Sequence, residues 1–299
     1  MLRTEKKSLA WQSKVILLLV VPWTVASVVL QAHWWWLQVP IVAYQTLGIS
    51  ALFGLVVWWM KAGTPAAAAT GAAITASLMF STARYPYEWS WLHGGLMPLL
   101  AVFLLTFAAT KIGRAKKEKL GTAEPKRGRN AAQVAANLGV AGLVIQPAFL
   151  KLVGLNPLPF LLSFLAFSAL AEAAADTVSS EIGQVFGGQP RMITTFRRVG
   201  PGADGGITVA GTGAGFVAAA VVGVFGFGFP GASMREMLLL CLGLAATGTL
   251  GLLFDSLLGA TLERRGLLNN DAVNFLSTLF SAVVGFPVGI LVGGFLLQV

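Results

Sequence analysis

The 299-residue chain is 56% hydrophobic and only 11% charged, with 35 Gly and a formal net charge of +9. A soluble domain carries about a quarter charged residues, so this composition excludes a water-soluble globule. No G-x-x-x-x-G-K-[ST] sequence occurs, which excludes a P-loop nucleotide site, and no aromatic-interleaved basic fold points to nucleic acid.

The N-terminus is basic (Arg3, Lys6, Lys7, Lys14) and runs into an apolar stretch that ends in HWWW. A charged start before an apolar run resembles a signal peptide. No small-x-small cleavage site follows, and interfacial Trp residues close the run, so it reads as an uncleaved first span. A bilayer core of ~30 Å takes roughly 20 apolar residues per helix. By that rule the chain divides into nine spans, at 15–31, 37–60, 65–83, 91–110, 131–150, 157–176, 207–229, 234–256 and 272–297. The third and fifth are Ala-rich and only mildly apolar, and suit the inside of a bundle better than contact with lipid. The expected fold is all-α, a polytopic transmembrane helical bundle of about nine spans.

Charge supplies orientation. Of the 21 Lys and Arg, only Arg84, Lys151 and Arg235 fall in alternate loops; the other 18 share one side. The positive-inside rule then puts the N-terminus in the cytoplasm and the C-terminus outside. Attraction of basic residues to anionic lipid accounts for most of the N-terminal cluster. The Gly-rich pieces GTGAG, Gly211/Gly215, Gly285/Gly289 and Gly289/Gly293 lie within spans and read as helix-packing surfaces, not as phosphate loops. Cys241 sits in an apolar run as a small packed residue.

Twelve acids remain to be explained. Glu5, Glu118, Glu124 and Glu263 lie among basic residues as solvated partners, Glu88 and Glu236 lie in outer loops, and Asp204 sits in a PGADGG turn. Glu172, Asp176, Glu181, Asp255 and Asp271 instead fall in or at the ends of apolar helices. A carboxylate near the bilayer centre costs about 2.5–3.5 kcal/mol on insertion scales and usually marks function. In LAEAAADTVSSEIG, Glu172, Asp176, Ser179 and Ser180 fall on one helical stripe by i, i+4 spacing. Asp255 and Asp271 end and open their spans on the same side, although Asp271 also fits an N-terminal helix cap or dipole position. Hard oxygen donors suit Mg²⁺, with Asp176, Glu181, Asp255 and Asp271 as candidate ligands and the first three as candidate catalytic residues. Around them lie Lys111, Arg129, Asn130, Arg191, Thr194, Thr195, the turn glycines Gly202, Gly205 and Gly206, and Asn270 and Asn274. These are phosphate-binding types. Carboxylates for a metal beside cations for phosphates is the layout of phosphoryl or nucleotidyl transfer. The membrane setting implies a lipid acceptor.

Six stretches, TKIG, GRNAAQVAANLG, ADTVSSEIG, PRMITTFRRVGPGADGGIT, DSLLGAT and NNDAVNFLST, follow one another from residue 110 to 278. In this series the chain resembles the integral membrane family that includes the plant phytyl-phosphate kinase. The stretch LERRGLL before NNDAVN is shorter than in many relatives. The resemblance implies transfer of a phosphoryl group from a nucleoside triphosphate, with CTP the donor it points to, onto an isoprenyl monophosphate. Residues 1–90 are then N-terminal transmembrane helices without a recognised motif, and 91–299 a catalytic transmembrane domain with its active site facing the cytoplasm. In a prokaryote the membrane would be the plasma membrane. Two other readings use the same residues: a cytidylyltransferase that makes a CDP-lipid, and a transporter or flippase of an anionic lipid.

Overall fold

The computed structural model describes residues 10–88, 94–124, 127–146, 158–227 and 233–297. Helices dominate: α1 (Ala10–Gln38), α2 (Pro40–Trp59), α3 (Pro65–Thr82), α4 (Leu96–Lys111), the short α5 (Arg114–Leu120), α6 (Ala131–Val144), α7 (Pro159–Phe186), α8 (Val209–Phe227), α9 (Met234–Leu258) and α10 (Asn270–Leu297). A π-helical turn, Gly259–Glu263, extends α9, and a two-residue antiparallel pair, β1 (Arg191–Met192) with β2 (Gly206–Ile207), closes the loop after α7.

Apart from α5, each described helix runs opposite to the one before it. Contacts at the two ends establish this alternation. At one end Gln12 meets Leu267 and Asn269, the α2–α3 turn pairs with Arg129, and Lys117 meets Glu181. At the other, Gln31 meets Gln146 and Ser81, Trp35 meets Tyr87, and Phe160 meets Phe227. The first end carries most of the charge and the second a belt of Trp and Tyr, the residues that favour a membrane interface.

Among the described residues six helices are long and apolar enough to cross a membrane, or seven if the bent pair α4–α5 is one span. The described residues thus support six or seven spans by length and apolarity, not nine, with α3 (18 residues) and α6 (14 residues) outside that group. Both turn most of their length inward, as their Ala-rich composition suggests: Ile74, Leu78, Ala135, Ala136 and Val140 are fully buried. One apolar core joins Ile16 and Val20 of α1 to Val292 of α10, across residue 90. The central element is α7, 89% of whose apolar window is buried, against 17% for α1. Gly residues make this density possible. A Cβ on Gly211 would stand 2.6 Å from the Ser179 carbonyl oxygen, and one on Gly215 2.8 Å from that of Ala175. The packing role expected of these glycines is what they perform.

Orientation can be read in cells. If the charged end faces the cytoplasm, a Lys119→Cys variant stays unlabelled by an impermeant thiol reagent in intact cells and Tyr85→Cys is labelled. Both side chains are exposed and native Cys241 is buried. The reverse pattern inverts the molecule.

Candidate active site

The acidic residues of α7 begin one turn apart. Glu172 is 1% exposed and packs where Gly251 of α9 leaves room; a Cβ there would come within 2.4 Å of its Cγ. Its Oε1 has no hydrogen-bond partner. One turn on, Asp176 reaches a cavity of about 400 Å³ at the charged end of the bundle. The walls come from the ends of α6, α7, α9 and α10, the π-helical turn and the 202–208 turn. Asp255 enters from α9, its Oδ2 accepting a hydrogen bond from Ser277 Oγ of α10 at 3.2 Å. Glu263 follows from the π-helical turn and Asn270 and Asn274 from α10.

Arg129 is the only Lys or Arg among the described residues lining this cavity. Its main chain is pinned: its N–H donates to Ala62 O at 3.0 Å, and its carbonyl accepts from Thr64 N at 2.9 Å. Gly128 makes that approach possible, with φ +73° and no room for a side chain, since a Cβ would lie 2.5 Å from the Ala62 carbonyl. The guanidinium donates to Thr177 Oγ1 at 3.3 Å and lies 3.9 Å from Glu124. It offsets the charge on Asp176, whereas Asp255 faces the like charges of Asp176, Glu172 and Glu263. Among the described residues six carboxylates line the cavity, Glu124, Asp176, Glu181 (paired with Lys117), Asp204, Asp255 and Glu263, against that one guanidinium. A phosphate entering such a field is repelled unless a cation accompanies it.

The turn after β1 supplies the remaining wall. Gly202 and Gly205 both have φ +79°, and a Cβ on Gly205 would stand 2.4 Å from Ala260 Cβ, so a larger residue would push the turn off the α9 end. Thr208 Oγ1 accepts from Gly211 N at 3.0 Å and starts α8 at the cavity edge. Helix N-termini favour anions.

The structure thus brings Asp176, Glu181, Asp255, Arg129, Gly202, Gly205, Gly206, Asn270 and Asn274 to one cavity. Others of the expected set have different surroundings. Asp271 accepts from Ser13 Oγ at 2.6 Å, part of a clamp between α10 and α1. Asn130 forms a capping box with Gln133 at the start of α6. Lys111 lies over the Phe107 ring, its Nζ 5.0 Å from the centroid, and faces a second cavity. Arg191 donates to the Phe196 carbonyl at 3.1 Å, and Thr194 and Thr195 are exposed in the same loop. Glu181 lines the cavity but is ion-paired with Lys117, which is 1% exposed and also donates to the carbonyls of Ala109 and Thr110. Lys117 was not singled out from the sequence, because nothing in AKKEKL separates a buried lysine from solvated ones. Glu124 and Glu263, expected to be solvated partners of basic residues, line the cavity as well.

Among the described residues no three carboxylate, imidazole or thiol groups converge into a ready-made metal cage. Mg²⁺ does not require one. It keeps several waters and is held by one or two carboxylates together with substrate phosphates. The hard-oxygen pair Asp176 and Asp255, in a cavity with excess negative charge, fits that coordination.

Comparison with known proteins agrees with this architecture. Residues 48–282 match the family described as Integral membrane protein DUF92. The chain is 37% identical over 191 residues to Uncharacterized membrane protein MJ0933 of Methanocaldococcus jannaschii, covering 64% of this chain and 74% of that one. It is 32% identical over 209 residues to Protein VTE6, chloroplastic, of Arabidopsis thaliana, covering 68% and 60%. It is 30% identical over 224 residues to Protein PGR of the same plant, covering 62% and 77%. No solved structure matches the chain.

Proposed function

The chain belongs to the integral membrane family DUF92, and on that premise we propose that it is a Mg²⁺-dependent kinase that phosphorylates an isoprenyl monophosphate to the diphosphate. The observation that carries the reading is the convergence of Asp176 and Asp255, on α7 and α9, beside the pinned Arg129 in one cavity at the charged end. The motif series resembles the family of the plant phytyl-phosphate kinase, and a chloroplast protein stands among the relatives. CTP is the donor that resemblance points to.

In this reading Asp176 and Asp255 hold Mg²⁺, which when bound neutralises the donor phosphates and polarises the bond to be broken. The 202–206 turn and the start of α8 receive the donor phosphates. Arg129 holds the acceptor phosphate by paired N–H donors, a geometry suited to a phosphate. An acceptor oxygen bonds to the γ-phosphorus as the bond to the β-phosphate oxygen breaks, and the nucleoside diphosphate leaves with the electron pair. The acceptor phosphate is already ionised, so no general base is required, and no His is among the described residues of the cavity wall. The reaction takes place on the cytoplasmic side of the membrane, the plasma membrane in a prokaryote.

The test uses purified protein with γ-labelled nucleoside triphosphates and phytyl, geranylgeranyl and farnesyl monophosphates. A kinase moves the label to lipid diphosphate and releases nucleoside diphosphate. Label in pyrophosphate identifies a cytidylyltransferase, and an inert nucleotide with every lipid phosphate overturns the assignment. Chelation of Mg²⁺ abolishes transfer if the metal reading is right.

A further inference from the structure

A second cavity, of about 500 Å³, lies between α2, α3, α4 and α6, and its chemistry is opposite to that of the first. Its depth is apolar, with walls that include Phe53, Val102, Phe103, Val134 and Leu138. Phe53 and Phe103 meet edge to face across it, their ring centroids 5.5 Å apart. Its mouth is basic, with Lys61, Lys111, Arg114 and Arg129 all at the charged end of the bundle. Arg129, Asn137 and Glu124 line both cavities, so the two meet at the guanidinium.

The geometry points to this cleft as the binding site of the acceptor lipid: a single-chain lipid with a terminal phosphate, tail among Phe53, Phe103 and Leu138, phosphate at Lys61, Lys111 and Arg129. This rests on the proposed kinase reading for its acceptor but adds where the lipid lies and what limits its length. Three features support that occupant. A basic rim over an apolar interior is complementary to an anionic amphiphile and to little else. The volume lies in the range of small-ligand pockets, which suits one chain and is small for a two-chain phospholipid. The rim residue Arg129 is also the one cation among the described residues of the acidic cavity, so a phosphate held there reaches the cavity that Asp176 and Asp255 line without leaving the cleft. Lys111, which does not line the acidic cavity, has its place at the rim of this one.

Gly71 is the place to test it. It lines the cleft on α3, and a Cβ there would meet only Val134 Cγ1, at 3.9 Å, so a larger side chain grows into the open space. Gly71→Leu also raises helix propensity, which favours folding. The expected result is that Gly71→Leu raises KM for geranylgeranyl monophosphate by about tenfold or more, as a misfit in an apolar pocket does. The nucleotide KM and the reaction of the shorter geranyl monophosphate stay close to wild type. Leu104→Trp, on the exposed outer face of α4, leaves the profile unchanged. An unaltered chain-length profile in Gly71→Leu overturns the proposal. A second measurement needs no turnover. A geranylgeranyl monophosphate analogue with a tail diazirine, photolysed without nucleotide on the wild-type protein, labels peptides of α2, α3, α4 and α6. Label confined to lipid-facing helices such as α1 and α8 overturns the site. Labelling of the cleft with no transfer from any nucleotide leaves the lipid site standing and removes the kinase.

Discussion

Asp176→Asn and Asp255→Asn each reduce transfer by about 10²–10³-fold or more, the scale of losing one preorganised electrostatic partner of a transition state, while the protein remains folded and membrane-inserted. Asn keeps the size of Asp and its hydrogen bonds, so Ser277 keeps an acceptor at position 255. Without metal, Asp255 faces Asp176, Glu172 and Glu263 as like charges. Removing the charge at position 255 relieves that repulsion, and Arg129 keeps Glu124 at 3.9 Å when position 176 is neutralised, so thermal stability in Mg²⁺-free buffer stays unchanged or rises while activity falls. A structural acid behaves in the opposite way, since its neutralisation strands a partner and destabilises. Thermal unfolding in detergent and single-turnover transfer, measured on the same preparations, separate the two. Lost stability with normal turnover per folded molecule would return both residues to a structural role.

The second large effect belongs to Lys117. Its ammonium binds Glu181 of α7 and the carbonyls of Ala109 and Thr110 at the end of α4, and so closes the bend of 67° between α4 and α5. Lys117→Met leaves Glu181 without its counter-charge and two carbonyls without a donor. Breaking a buried pair from one side costs about 3–5 kcal/mol, read as a fall in unfolding free energy. Lys117→Met/Glu181→Gln recovers part of that loss, because the stranded charge is gone. A double-mutant cycle measures the coupling. If Lys117→Met is as stable as wild type, the pair is not a structural tie, and Glu181 is free to serve as a metal ligand.

The sequence carried the bundle and the buried acids for different reasons. Long apolar runs with charge confined to their ends can only be membrane helices, and carboxylates inside such runs stand out because lipid penalises them. Asp176 and Asp255 were legible for that reason. The phosphate-binding set was less so. Lys111, Asn130 and Arg191 are residue types that bind phosphate anywhere, and only packing shows that one faces an apolar cleft, one caps a helix and one supports a loop. The apolar cleft itself left no mark, since Phe53 and Phe103 belong to spans that are apolar throughout. Span number suffered from the same limit: α3 and α6 are helices in the expected places, but their burial against neighbours, not their own apolarity, holds them there.

The burial of α7 has a consequence for how the protein is made. This helix carries Glu172 and Asp176 in its span, each costing about 2.5–3.5 kcal/mol on insertion scales near the membrane centre. Of the helices that pack against it, α4, α5 and α6 precede it in the chain, whereas α8, α9 and α10 leave the ribosome after it. When α7 first reaches the translocon, the Gly251 of α9 that makes room for Glu172 has not been synthesised. With a mean hydropathy of 1.5, α7 is the least apolar of the six helices that are long and apolar enough to cross a membrane. The expected consequence is that α7 is retained beside the earlier helices until α8, α9 and α10 arrive to pack against it.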